Sequence, residues 1–185
     1  MPILILGLIL WTVSHLFKRL APGLRAKLGN TPGKMVVTVL SLAAVVLMVV
    51  GYRRAELDPI YTPLPGMGHL NNLLMLIAVF LIGVPHGKGR VKAMLRHPML
   101  TSVIIWAVAH LLVNGDLASI VLFGGLGLWA IASMVLINAQ ESWTRPAPGG
   151  LRSDAIGVVI TLVVYAVIAG IHIWLGYNPF LGTYG

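Results

Sequence analysis

The sequence predicts an all-α fold, a polytopic transmembrane helical bundle of about six spans forming a single domain over residues 1–185, and three observations predict it. Hydrophobic residues make up 58% of the chain and charged residues only 10%, a balance that leaves too little polar surface for a protein facing water. Six apolar runs stand out, roughly Ile3–Phe17, Met35–Tyr52, Met67–Val84, Pro98–Val113, Leu117–Asn138 and Ala155–Gly176, and a span needs about 20 mostly apolar residues to cross the hydrocarbon core. The third observation is the uneven way Lys and Arg are shared between the breaks.

Each run is bounded for a physical reason. The first begins at Ile3 with no basic stretch before it and no small-residue cleavage pattern after it, so it is expected to be a retained helix rather than a signal peptide. Lys18, Arg19, Arg25, Lys27 and Lys34 divide it from the second run. The second gives way to Arg53, Arg54, Glu56 and Asp58 and then to the helix-stopping stretch Pro59 to Gly66. Lys88, Arg90, Lys92 and Arg96 follow the third run, and Pro98 opens the fourth, where its missing N–H costs nothing. Asn114-Gly115-Asp116 is too short for anything but a helical hairpin. Asn114 or Gly115 is expected to end the fourth run in the left-handed conformation, and Asp116 to cap the fifth. Arg145, the Pro146 to Gly150 stretch and Arg152 precede the sixth.

Loop by loop, eleven Lys and Arg fall on one side of a six-span chain and two on the other. Cytoplasmic loops carry the excess, so both termini are expected on the non-cytoplasmic side. This placement accounts for the formal net charge of +8 without nucleic acid as a partner. The spans contain no Asp, Glu, Lys or Arg of the kind that marks pumps and transporters. The absence of cysteine excludes disulfides and thiolate-held clusters, so a metal would need His, Met or oxygen ligands. The methionines read as packing, and Tyr52, Trp143, Trp174 and Tyr177 as interface anchors.

The six histidines sort by depth, since a helix advances about 1.5 Å per residue. His15, His86 and His97 fall towards the cytoplasmic side, and His69, His110 and His172 towards the outer side. His86 lies in a loop and reads as structural; His97 can instead cap its span beside Pro98, and His172 can bond a neighbouring helix. His97 and His110 are about 20 Å apart along one helix and roughly 140° apart around it, too far to hold one metal. They can serve two cofactors, one per leaflet. A bis-histidine haem needs two imidazoles at one depth, which pairs His15 with His97, and His69 with His110, with His172 as a substitute.

The stretch from Arg96-His97-Pro98-Met99-Leu100 through Trp106-Ala107-Val108-Ala109-His110-Leu111-Leu112 to Asn114-Gly115-Asp116 resembles the hallmark of the NnrU family. Ser14-His15-Leu16 with Leu20-Ala21-Pro22-Gly23-Leu24-Arg25 resembles that family's first span and loop, so the resemblance covers nearly the whole chain. The family is named for a membrane protein associated with nitrite and nitric oxide reduction in denitrifying bacteria. It is similar to the zeta-carotene isomerase of plants, a membrane haem b enzyme. The resemblance implies one or two haem b groups in a bacterial inner-membrane protein, with a membrane redox partner or an apolar substrate. It also implies that His15 and His110 match the isomerase's haem ligands, and His69 and His97 two further histidines; His172 belongs to the bacterial branch. A further isomerase histidine has no counterpart around Trp129. As ordinary helices the first and fourth spans put His15 and His110 about 15 Å apart in depth, which conflicts with a shared iron.

Two function classes stand first: a haem b protein in nitrogen-oxide redox chemistry, as carrier or accessory factor, and a haem-dependent cis–trans isomerase of a polyene. The Arg-His-Pro motif before an apolar span also resembles the isoprenylcysteine methyltransferases, but Trp143 to Asp154 lacks their charged cofactor region. A structural or regulatory subunit without cofactor is the remaining alternative.

Overall fold

The apolar runs become six helices in a computed structural model that describes residues 1–181. They are α1 (Pro2–Leu20), α3 (Asn30–Arg53), α4 (Met67–Gly83), α5 (Pro98–Leu111), α6 (Leu117–Gln140) and α7 (Leu151–Trp174), with a short α2 (Pro22–Lys27) between the first two. Among the described residues there is no strand, only an isolated bridge between Pro59 and Asp116. Five of the six are long and apolar enough to cross a membrane, α4 with its 3-10 continuation to His86. The exception is α5. Its 14 residues reach about 21 Å against a hydrocarbon core of about 30 Å.

The helices follow one another in the order α3, α1, α6, α5, α4, α7, each packed on the next. Helices in lipid gain little from the hydrophobic effect, so close contact between small residues and shared hydrogen bonds must hold them together. At the α1/α3 seam a Cβ on Gly7 would stand 2.8 Å from the Met48 backbone nitrogen, and one on Gly51 would enter the Leu4 backbone. Leu4 is fully buried there beside Met48 and Ala118. The α4/α5 seam is sewn at two depths. Asn71 Nδ2 donates to the Ala109 carbonyl at 2.8 Å, and Ser102 Oγ to the Ala78 carbonyl at 2.6 Å.

Polar groups close both ends of the bundle. At one end Asp116 caps α6 as expected, accepting from Ser119 N at 2.9 Å. The left-handed ending expected of α5 does not occur, because among the described residues only Gly29, Gly66 and Gly176 have positive φ. Side chains do that work instead: Asn114 Nδ2 donates to the His110 carbonyl, and the Tyr61 hydroxyl to the carbonyls of Leu111 and Asn114. Gly115 is needed for space, since a Cβ there would collide with the Tyr61 carbonyl. At the other end Arg19 pairs with Glu141 at 2.6 Å, and Arg96 donates to the Glu141 carbonyl at 2.5 Å. Cations thus meet the free carbonyls at the C-terminus of α6.

Candidate functional site

Two tryptophans stand four residues ahead of two histidines, Trp11 before His15 on α1 and Trp106 before His110 on α5. Four residues is one turn, so each histidine shares a helix face with its tryptophan. In both cases the imidazole Nδ1 sits 2.9 Å from the tryptophan backbone carbonyl. Nδ1 is therefore the protonated nitrogen, and Nε2 keeps its lone pair. His172 is held likewise, with Nδ1 2.8 Å from the Ile168 carbonyl of its own helix rather than bonded to a neighbour.

Aromatic rings on α6 complete two clusters. His15 stacks on Trp11 at 3.9 Å and meets the edge of Trp129 at 5.2 Å. His110 stacks on Phe123 at 4.5 Å, with Trp106 at 5.1 Å. Phe123 lies in a π-helical segment, Ile120–Gly124, of the kind that interrupts α-helices at functional positions. Because α1 and α5 run in opposite directions, the tryptophans face the middle of the bundle and the histidines lie beyond them. Between the tryptophans is a cavity of about 330 Å³, walled by Trp11, Met48, Tyr52, Trp106, Leu122 and Leu126.

Phe123 and Trp129 are six residues apart on α6, so the clusters are offset by about 9 Å along it, less than the two spans taken alone imply. His97 is not beside His15. Its Nε2 bonds Asn138 Oδ1 at 2.9 Å, nine residues and about 13 Å along α6 from Trp129. His97 occupies the N-cap position of α5 but makes no side-chain cap bond. His69 is exposed on the first turn of α4, and His86 is exposed after it. His172, by contrast, comes within electrostatic reach of His110. Among the described residues no three of His, Asp or Glu converge on a point that would hold a bare metal ion. Near His15, however, the indole N–H groups of Trp11 and Trp129 are buried without a hydrogen-bond partner. Such orphaned donors are unusual in a folded protein.

A family model described as NnrU protein matches residues 3–179. The chain belongs to the NnrU family. No curated protein and no solved structure matches it significantly. In this NnrU chain, reasoning from the histidines alone passed over Trp11, Trp106, Phe123 and Asn138. The signal for the first two was available as the repeated Trp-x-x-x-His spacing. Nothing local points to Phe123 or Asn138, which reach the histidines only through packing of α6. Tyr52, expected as an interface anchor, packs near Phe123, its hydroxyl 2.8 Å from Ser119 Oγ.

Proposed function

We propose that this NnrU protein is a haem b-binding integral membrane protein of the bacterial inner membrane, with a redox or accessory role linked to nitrite and nitric oxide metabolism. The observation that supports it is the repeated arrangement at His15 and His110. In each, the Nδ1 proton is committed to a backbone carbonyl and the Nε2 lone pair is left for an iron. Both imidazoles have aromatic and apolar neighbours, and beside His15 two buried indole donors have no partner, surroundings of the kind a porphyrin takes. Haem b, when bound, supplies a one-electron iron couple whose potential its axial ligands and burial set.

The chain's own residues hold and shield. His15 and His110 would hold haem iron, each at its own cluster, since the clusters are offset by about 9 Å along α6. Trp11, Trp129, Trp106 and Phe123 fix the planes of these imidazoles and keep water from them. His97, tied to Asn138, and exposed His69 are secondary candidates. The test is purification after haem-sufficient expression, reading the Soret band and the haem-to-protein ratio. His15→Ala and His110→Ala are expected each to remove or shift the band, while His86→Ala leaves it intact. A wild-type protein without a Soret band ends the proposal.

The apolar cavity between Trp11 and Trp106 favours a second reading, a haem-dependent cis–trans isomerase of a polyene such as zeta-carotene. Cells that make the protein and are fed a di-cis polyene should then change its isomer ratio, and an unchanged ratio rejects that reading.

A further inference from the structure

The end of the bundle that carries Arg19 and Glu141 is strongly cationic. Its loops hold eleven Lys and Arg against Glu141 and Asp154, a balance of +9, whereas Arg53 and Arg54 at the opposite end face Glu56, Asp58 and Asp116, a balance of −1. Within the cationic end, α1, α2 and α3 flank an open cleft of about 730 Å³. Lys18, Arg25 and Lys34 line it from three helices, Asn30 adds an amide, His15 reaches it from α1, and Val37 gives it an apolar wall. Arg25 is already committed, donating to the Gly29 carbonyl at 2.8 Å and the Asn30 carbonyl at 3.5 Å. Lys34 has no ion pair or side-chain hydrogen bond among the described residues. Lys18 lies within electrostatic reach of Glu141, which already pairs with Arg19. No acidic side chain lines the cleft.

We propose that this cleft is a binding site for the head group of an anionic phospholipid, its phosphodiester between Lys18 and Lys34 and the start of an acyl chain against Val37. Three features favour a lipid over a free anion. The cleft is far larger than inorganic phosphate needs. It continues from charged to apolar walls, as the lipid does. And it lies where the apolar helices α1 and α3 give way to their basic connection, the height at which head groups sit. Basic pockets between transmembrane helices recognise anionic lipids in this way, each cation near the surface adding attraction that salt screens. The cleft shares His15 with the haem reading, but the inference rests on Lys18 and Lys34, which that reading does not use.

The test is native mass spectrometry of the full chain reconstituted in phosphatidylglycerol/phosphatidylcholine nanodiscs and released into mild detergent. One phosphatidylglycerol is expected to stay with the wild type. Lys18→Gln/Lys34→Gln should weaken its retention about thirtyfold, since each cation close to the bound head group contributes about a factor of five. Lys88→Gln/Arg152→Gln removes the same charge from the same end but away from the cleft, and should retain the lipid. Lys34→Gln alone, at an exposed position, gives an intermediate loss should the double variant fold poorly. Equal loss in both double variants would mean diffuse attraction and overturns the site. Displacement of the lipid by millimolar inorganic phosphate would mark a free-anion site, and its expulsion on haem loading would assign the cleft to the cofactor; either result also overturns the proposal.

Discussion

Asn71 is 7% exposed and spends its amide on the Ala109 carbonyl of the neighbouring helix, a bond that lipid cannot replace. Asn71→Leu is expected to destabilise the fold by about 1 kcal/mol in detergent unfolding, the size typical of hydrogen bonds between membrane helices. Glu141 carries a pH dependence. Hydrogen bonding to Arg19, then the charge of Arg19, hold its carboxyl below the usual carboxylate range. A depressed carboxyl contributes stability that is present above its unfolded pKa and is lost as pH falls through the folded one. Melting temperature should therefore drop on acidification through and below about pH 4, and Glu141→Gln should flatten that part of the profile. A profile unchanged by the substitution would show that the pair does not contribute. At the histidines, the tautomer follows from a local bond: a helical histidine can give its Nδ1 proton to the carbonyl four residues back, as His15, His110 and His172 all do.

At the scale of elements, the α1/α3 seam is the most sensitive to size. Gly51→Ala would drive a methyl into the Leu4 backbone, which has no flexible side-chain end to yield. We expect a loss of about 1–3 kcal/mol, as for overpacking elsewhere. Gly170→Ala, in open space on α7, should be neutral or stabilising by about 0.5–1 kcal/mol, because it removes only backbone freedom. Equal melting behaviour of the two variants would contradict this packing. α5 shows how a short helix is accommodated among long ones. α4 and α6 flank it, and Tyr61, Asn114 and the turn at Asp116 meet its C-terminal end, so protein rather than hydrocarbon surrounds the backbone it fails to extend. The apolar run suggested a fuller span to Val113. The hairpin draws residues 112–116 into side-chain capping instead.

For the whole molecule, the segregation of charge makes sidedness testable. The chain has no cysteine, so single cysteines report cleanly. Lys27→Cys should react with an impermeant thiol reagent only from the cytoplasmic face, and Glu56→Cys only from the other. The reverse pattern, or labelling of both from one face, would overturn the expected orientation. Met1 packs beside the Tyr52 cluster and the Pro179 carbonyl accepts from Asn72, so both ends of the described chain lie at one end of the bundle.

Composition, run length and the rhythm of basic loops were enough by themselves to determine an all-helical membrane chain, its six helices and the cap at Asp116. Each depends on forces local to the chain: transfer of apolar residues out of water, backbone hydrogen bonding within a helix, and a cap within three residues. The bond from His15, His110 and His172 to the carbonyl four residues back is local too, and the Trp-x-x-x-His spacing adds an indole beside the first two. Tertiary structure alone decided that Trp129 and Phe123 flank the first two, that His97 turns to Asn138, and that Lys18 and Lys34 share a cleft. Those juxtapositions depend on which helix lies beside which and at what height, set by close contacts such as Gly51 on Leu4 between residues far apart in the chain.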